Sequence, residues 1–148
     1  MPEQRSSTSL AALSRRYAAI GMGIHLAGFA LGFAGEGLIL LGAIGLNSVA
    51  ATLEPIGDGL YGLGLVIVIA VAARAGVSLK SLIAAGSVIG VGIFYKSAVH
   101  EIHIASGIGF GFPHTAHIGL GAILITLAAA ALVVLAIRRT RTQGVQVE

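Results

Sequence analysis

Long apolar stretches alternate with short polar segments along this chain. Stretches with few charged residues occupy positions 17–36, 56–73, 79–99 and 116–137. Their lengths are close to the about 20 residues that an α-helix needs to cross the hydrocarbon layer of a bilayer. The pattern therefore predicts an all-α integral membrane protein, in which four transmembrane helices form one bundle over residues 17–137.

Residues 37–53 are also apolar and raise the question of a fifth crossing. The basic residues favour four crossings, because cytoplasmic loops of membrane proteins are enriched in lysine and arginine. With four crossings, Lys96 alone lies near one side, and the other side holds Arg5, Arg15, Arg16, Arg74, Lys80, Arg138, Arg139 and Arg141. We therefore expect both termini to be cytoplasmic, with residues 37–53 extending the first helix or lying at the outer interface.

The two ends of the chain are predicted to be a cytoplasmic segment, residues 1–16, and a cytoplasmic tail, residues 138–148. The sequence Ser-Arg-Arg at residues 14–16 resembles part of a twin-arginine export signal. However, the apolar stretch after it has 19 residues, longer than a usual signal-peptide core, and further apolar stretches follow. We therefore interpret it as the first span. Pro55 and Pro113 precede spans two and four, where proline fits the first helical turn.

The composition agrees with a protein of the cell membrane. Hydrophobic residues make up 56% of the 148 residues and charged residues 10%, with a mean hydropathy of +0.96, whereas soluble domains carry about 25% charged residues. The net charge of +3 comes mainly from arginines near the ends, which indicates membrane orientation rather than nucleic-acid binding. The absence of cysteine excludes disulfides, thiolate metal ligands and covalent c-type haem.

Glycine is expected to shape the contacts between the helices. Many of the 22 glycines lie within the spans, including the pairs Gly28 and Gly32, and Gly86 and Gly90. Small residues four positions apart share a helix face and allow two backbones to approach closely in a membrane. Both pairs are therefore predicted to be helix-packing positions.

The topology gathers the remaining polar side chains at the outer ends of the helices. Within about two helical turns of the outer interface we expect Glu36, Glu54, Asp58, Lys96, His100, Glu101, His103, His114 and His117. Residues three or four apart share a helix face, so the last four histidines form two His-x-x-His pairs on neighbouring helices. This convergence is the main functional signal in the sequence.

Two such pairs would supply up to four imidazoles to one metal ion. Zinc, copper and non-haem iron accept imidazole together with carboxylate oxygens, and the acidic residues that would provide these, as ligands or as partners of ligands, are Glu36, Glu54, Asp58 and Glu101. A b-type haem held between one histidine of each pair is an alternative. Gly92 and Gly121 share these helix faces, which predicts free space beside the imidazoles.

The same residues also have simpler structural interpretations. Interfacial histidines often hydrogen-bond only to headgroups, water or backbone. Glu54 and Asp58 would stabilise the N-terminus of span two, because carboxylates interact favourably with the positive end of a helix. Lys96 would extend to the interface or balance a nearby carboxylate.

His25 differs from the other histidines because it lies eight residues into the first span, about 12 Å from its start. Ionisable residues at such depth are rare and tend to be functional. His25, Gly28, Gly32 and Glu36 fall on nearly one helix face, which would allow a proton path from His25 toward Glu36. The alternative is a neutral histidine hydrogen-bonded to a neighbouring helix, for instance to a Ser, a Thr or a carbonyl. A haem on His25 is disfavoured, since no other histidine lies at its depth.

Two main hypotheses of function follow. The first is a metal- or haem-binding protein, such as an accessory or electron-transfer subunit of a larger, for instance respiratory, membrane complex. The second is a small proton- or cation-coupled transporter, usually a homo-oligomer, which uses His25 and Glu36. A purely structural membrane subunit is a third. Enzymatic activity has the least support, because the sequence has no motif that pairs a nucleophile with a base.

Overall fold

The protein folds into four long α-helices. The structure, a computed structural model, describes residues 3–40, 47–106 and 112–145, with side chains described for residues 12–35, 37–38, 48–98 and 119–142. The helices are α1 (Glu3–Leu40), α2 (Asn47–Arg74), α3 (Leu79–Ser106) and α4 (Phe112–Val145). No strand occurs in these ranges, so the predicted all-α class is confirmed for the described part of the chain.

All four helices are long and apolar enough to cross a membrane, as the hydrophobic pattern predicted. The segments that meet this criterion are Ala12–Gly35, Ser48–Arg74, Leu79–Ala98 and Gly119–Thr142. Large apolar side chains cover the outside of the bundle, with Phe94 74% exposed and Leu127 62% exposed. The core consists largely of alanine: Ala18, Ala50, Ala72, Ala75, Ala128, Ala129 and Ala136. Large apolar residues outside and small ones inside indicate a membrane protein.

The helices pack as two antiparallel pairs. α1 lies against α2 along most of its length, and α3 lies against α4. α4 also contacts α1 and α2, whereas α3 touches α2 only slightly and therefore lies at the edge of the described bundle. One end of the bundle thus carries the start of α1 and α3 and the end of α2 and α4, together with Arg74, Lys80 and Arg138. We call this the basic end.

The contact between α1 and α2 is a seam of glycines with almost no side chains between the two backbones. A Cβ atom on Gly28 would overlap the backbone of Tyr61, and one on Gly64 would overlap the backbone nitrogen of His25. A Cβ on Gly57 would overlap the backbone of Gly32 in the same way. Close packing that requires glycine is thus confirmed for Gly28, whereas a Cβ on Gly32 itself would meet only Asp58 Oδ1, at 3.9 Å, among the described atoms.

Two other predictions about glycine are wrong. A Cβ on Gly86 or Gly90 would meet no described atom within 4 Å, so this pair is not a packing position within the described bundle. A Cβ on Gly92 would lie 2.8 Å from the carbonyl oxygen of Gly121, and the reverse distance is also 2.8 Å. These two glycines therefore bring α3 and α4 into contact, and the predicted free space beside them is filled by the opposite helix.

The predicted start of the second helix is also wrong. α2 begins at Asn47 rather than near residue 56, so Pro55 lies inside the helix and not in its first turn. The proline deprives the Ala51 carbonyl of a helical partner, which transmembrane helices tolerate. Residues 37–40 extend α1 and residues 47–53 begin α2, while residues 41–46 lie outside the described part. Pro113 is the second residue of α4, as predicted.

A tight turn at the basic end connects α2 to α3. The amides of Gly76 and Val77 donate to the carbonyls of Ala73 and Ala72 at 3.1 Å, the pattern of a Schellman motif. Gly76 has a φ of 74°, a left-handed conformation that glycine adopts without steric cost. Ser78 then caps α3, because its hydroxyl oxygen accepts from the Ser81 amide at 3.2 Å.

Candidate functional site

The most buried polar side chain of the described bundle is that of His25, which is 0% exposed. Thirteen residues separate it from Ala12 and ten from Gly35 at the ends of the candidate span. At 1.5 Å per residue these separations are about 20 Å and about 15 Å. His25 therefore lies near the middle of α1, deeper than the sequence-based estimate, because the helix starts earlier than expected.

Two neighbouring helices hold the His25 ring. Its Nδ1 lies 2.8 Å from the backbone carbonyl oxygen of Tyr61 in α2, and its Nε2 lies 3.1 Å from Oγ1 of Thr126 in α4. Because a carbonyl oxygen only accepts, Nδ1 carries a proton and donates it to Tyr61. The hydrogen-bonded histidine of the alternative interpretation is thus the arrangement found, with both a threonine and a carbonyl as partners.

The hydroxyl groups of Tyr61 and Thr126 share one backbone acceptor. The Tyr61 hydroxyl donates to the Ala122 carbonyl at 2.7 Å, and the Thr126 hydroxyl reaches the same oxygen at 2.9 Å. The two hydroxyl oxygens lie 3.3 Å apart. His25, Tyr61, Thr126 and the Ala122 carbonyl therefore form one connected polar network, which links α1, α2 and α4 at the same level of the bundle.

This network satisfies both protonation states of His25. When His25 is neutral, Thr126 donates its hydroxyl proton to Nε2, and Tyr61 occupies the Ala122 carbonyl. When His25 is cationic, Nε2 donates to the Thr126 oxygen, and Thr126 turns its proton to the Ala122 carbonyl, which has a second lone pair. Rotation of one hydroxyl group thus avoids an unsatisfied polar atom in either state, which would otherwise be costly in this interior.

An aromatic wall separates His25 from the other end of the bundle. The ring of Tyr61 stacks on the imidazole, with centroids 3.9 Å apart and an angle of 26° between the planes. Phe29 lies 6.4 Å from Tyr61 and 6.0 Å from Phe33, by ring centroids. The three rings follow one another from the middle of α1 toward the end opposite the basic end.

A cleft opens beside this wall, at the end of the bundle opposite the basic end. It holds about 480 Å³ of space, including its open mouth, and all four helices contribute to its lining. Lys96 of α3 donates to Oδ1 of Asp58 of α2 at 2.9 Å, with 34% and 53% of their side chains exposed. Glu54 and the Tyr61 side chain also line the cleft. We call this space the acidic cleft, because two carboxylates face one ammonium group there.

The interpretation of Glu54 and Asp58 as residues at the start of a helix is wrong. Because α2 begins at Asn47, these carboxylates lie beyond its first turn, where the favourable effect of the helix end has faded. Lys96 was also expected to balance a nearby carboxylate, and its ion pair with Asp58 is a contact of this kind.

The predicted metal site falls largely outside the described side chains. His25, Glu54, Asp58 and Lys96 are described, whereas the predicted side chains outside the described set are Glu36, His100, Glu101, His103, His114 and His117. Among the residues that were described, no group of three or more His, Asp or Glu side chains could hold a metal ion. The histidine site and the His25–Glu36 path therefore stay predictions.

The glycine seam limits the proton path from His25 toward Glu36 that the sequence predicted along α1. At Gly28 the predicted face is closed by the backbone of Tyr61, whereas a Cβ on Gly32 would meet only Asp58 Oδ1, at 3.9 Å, in the described surroundings. The polar groups that continue from His25 are thus those of Tyr61 and Thr126, and the open space beyond them is the acidic cleft.

Sequence reasoning missed Tyr61 and Thr126 as partners of His25. A signal was present, since Thr126 is the only polar residue between positions 119 and 137, and Tyr61 lies within an apolar stretch of α2. Polar groups at such depth need partners. What the sequence lacked was the register that brings the three residues to one level.

No protein-family description, characterised protein or solved structure gives a match to this chain. The polar network, the acidic cleft and the helix ends are the features of the molecule that bear on its function.

Proposed function

We propose that the protein resides in the cell membrane and crosses it four times, with both termini in the cytoplasm. Four helices of sufficient length support the crossings. The collection of basic residues at one end of the bundle supports the orientation, because such residues are retained on the cytoplasmic side. In this orientation the acidic cleft opens toward the outer side.

Within this topology the protein acts as a small proton-coupled transporter, and His25 is its proton-binding residue. The observation that carries this proposal is the polar network, which accommodates neutral and cationic His25 by rotation of the Thr126 hydroxyl. A histidine retained only for packing has no need of a partner that serves both states. Intramembrane ionisable residues commonly mark ion and proton pathways.

The network also provides a route for the proton. The Tyr61 hydroxyl is 3.3 Å from the Thr126 oxygen, which is 3.1 Å from Nε2 of His25. For the transfer, the Tyr61 hydroxyl turns its proton from the Ala122 carbonyl to the Thr126 oxygen. A proton that arrives at the Tyr61 oxygen from the acidic cleft then releases the Tyr61 proton to Thr126, and Thr126 passes its own to Nε2. One proton enters, one reaches His25, and both hydroxyl groups remain neutral.

The interior on the other side of His25 is apolar. Leu65, Val68 and Leu132 fill the bundle there. The next buried polar side chain described toward the basic end is that of Thr140, about 21 Å along α4 from Thr126. In the conformation described, the polar network therefore adjoins the acidic cleft through Tyr61, and apolar side chains separate it from the basic end. A carrier that opens alternately to the two sides requires such a difference between its two ends.

Matched substitutions at Thr126 test the proposal. In proteoliposomes with a potassium diffusion potential, internal acidification by the wild-type protein should exceed that of protein-free vesicles. Thr126→Val, which keeps the shape and removes the hydroxyl, should slow proton entry about tenfold or more, because a hydrogen bond to a charged group contributes about 1.5–3 kcal/mol and about 1.4 kcal/mol is tenfold in rate. Thr126→Ser should retain most of the flux.

Equal proton flux for Thr126→Val and the wild type would overturn the proposal. So would a wild-type flux no higher than that of protein-free vesicles. Comparable melting temperatures of the two Thr126 variants in detergent would show that any difference in flux is not a consequence of unfolding.

A second candidate function is a metal or haem site at the outer ends of α3 and α4, and the helix register favours it. In the described part, Gly92 faces Ile125 and Lys96 faces Gly121, so a step of four along α3 matches a step of four backward along α4. Continued to the ends of the helices, this register pairs position 100 with 117 and position 103 with 114. All four positions are histidines.

Four histidine positions paired across two helices would suit zinc, copper or iron, or a b-type haem, as in an accessory or electron-transfer subunit. Elemental analysis and an absorption spectrum of the purified protein should then show stoichiometric metal or a Soret band. His103→Ala or His117→Ala should remove it without unfolding the bundle, whereas His25→Ala should not. Blank spectra together with no binding of added zinc or copper would remove this candidate.

A further inference from the structure

The acidic cleft combines aromatic rings with an excess of negative charge. Phe29, Phe33 and Tyr61 form one wall, and Glu54 and Asp58 are the carboxylates. Lys96 pairs with Asp58, whereas Glu54 has no ion-pair partner among the residues with described side chains. Among the side chains that the structure describes, two carboxylates and one ammonium group leave one negative charge uncompensated beside the aromatic wall.

Glycine keeps this space open where helix packing does not require it. A Cβ on Gly32 would come no closer than 3.9 Å to any described atom, and one on Gly119 would lie 3.8 Å from the Phe33 ring. These are ordinary van der Waals separations, in contrast to the overlaps in the seam between α1 and α2. A larger residue at either position would therefore fit against its neighbours and would take up space in the cleft.

The residues that line the cleft favour an occupant with a positive charge. The faces of aromatic rings attract cations, most strongly where water is partly excluded. A nearby carboxylate adds an attraction that grows as the dielectric constant of the surroundings falls. The volume of about 480 Å³ includes the open mouth of the cleft, so an occupant would stay partly exposed at the mouth while its inner part contacts the walls. A metal ion would not need the aromatic wall, and an anion would meet the uncompensated carboxylate.

We propose that the acidic cleft binds a small organic monocation that carries apolar substituents, such as an alkyl- or aryl-ammonium ion. The cationic nitrogen lies between Glu54 and Asp58, and its substituents lie against Phe29 and Phe33. This inference rests on the proposed transporter function, for which it names the class of substrate whose transport is coupled to the proton of His25.

In this arrangement the ammonium group of Lys96 competes with the bound cation for Asp58. Its ammonium group occupies the side of Asp58 where the charge of an organic cation would be favoured, and its side chain is one-third exposed. An incoming cation would displace the ammonium group toward the mouth of the cleft. Removal of the lysine charge should therefore strengthen cation binding, an effect opposite to that expected if Lys96 were needed only to hold the helices together.

Equilibrium binding to the full-length protein in detergent micelles tests the proposal. The probe is benzyltrimethylammonium, and neopentylbenzene, which has the same shape without the charge, is the control ligand. The cation should bind saturably and the neutral compound should only partition into the micelle. Asp58→Asn and Phe29→Leu should each weaken cation binding about tenfold. Lys96→Met should strengthen it several-fold, whereas Lys80→Met, at the basic end of the same helix, should leave it unchanged.

Saturable binding with these opposite effects at Asp58 and Lys96 would support the proposal. Equal binding of the neutral compound, or no effect of Lys96→Met in a variant that melts like the wild type, would overturn it. Proton flux that depends on Thr126 but is accompanied by no cation binding would also overturn it, while the proton-coupled function itself would stand.

Discussion

Tyr61 connects the two polar regions of the molecule. Its carbonyl fixes the protonated nitrogen of His25, its ring stacks on the imidazole, and its hydroxyl reaches Ala122 and Thr126. The same side chain lines the acidic cleft. A single residue therefore determines both the orientation of the buried histidine and the boundary between that histidine and the cleft.

Removal of the Tyr61 hydroxyl should separate these roles. Tyr61→Phe keeps the stacked ring and the backbone carbonyl, so we expect a loss of only about 0.5–1 kcal/mol in the free energy of unfolding. Proton flux in vesicles should fall more markedly, because the hydroxyl relay is interrupted. Tyr17→Phe is a suitable control, since Tyr17 is an exposed tyrosine on the same bundle. A Tyr61→Phe protein with wild-type flux would show that the hydroxyl is not part of the route.

For single residues, the sequence predicted that His25 is unusual but not which side chains it contacts. The depth of His25 follows from counting along an apolar stretch, and a threonine or carbonyl partner was among the expected alternatives. Three helices contribute to the network, however, and their relative heights depend on packing that a single sequence does not specify. Thr126 is separated from His25 by 101 positions along the chain.

The ends of the helices were predicted well where charge and hydrophobicity change together along the chain. The prediction was poorer where a proline was taken to indicate the start of a helix. Pro113 lies at a helix start, but Pro55 lies inside α2. Proline fits a first turn because its nitrogen needs no partner there, yet a transmembrane helix also tolerates it in the interior. The residue alone does not distinguish the two situations.

The glycine seam between α1 and α2 leads to a matched prediction on one helix. Gly64→Ala places a Cβ on the backbone of His25, whereas Gly62→Ala places one where no described atom lies within 4 Å. We expect Gly64→Ala to lower the free energy of unfolding by about 1–3 kcal/mol, the usual cost of overpacking. Gly62→Ala should leave it unchanged or raise it slightly, because alanine favours the helix.

Unfolding in mixed micelles, followed by circular dichroism, measures this difference. Similar stabilities for the two alanine variants would mean that the backbones of α1 and α2 are not in contact in the native protein. The comparison needs no assumption about transport, so it tests the fold independently of the proposed function.

For the molecule as a whole, the hydrophobic pattern was sufficient to predict four apolar helices, because long apolar stretches have few other stable arrangements. The pairing of α1 with α2 and of α3 with α4 agrees with their order in the chain. The acidic cleft was not predicted as a cavity, although Glu54, Asp58 and Lys96 were all singled out from the sequence. Its walls come from four helices, and only their packing brings the aromatic rings beside the carboxylates.

The proposed orientation can be tested with single cysteines, because the chain contains none. In intact cells, a membrane-impermeant maleimide should label Gly109→Cys, between α3 and α4, and should not label Ser78→Cys, in the turn between α2 and α3. Permeabilised cells should show labelling at both positions. The reverse pattern in intact cells would place the termini outside, and the acidic cleft would then face the cytoplasm.

The glycine seam also fixes the height of α1 relative to α2. Gly21, Gly28 and Gly35 on α1 follow one another at intervals of seven, as do Ala50, Gly57 and Gly64 on α2. A gradual slide of one helix along the other would drive larger residues into the opposite backbone, and only a jump of seven residues, about 10 Å, would restore the match. The height of His25 relative to Tyr61 is therefore set in discrete steps of seven residues.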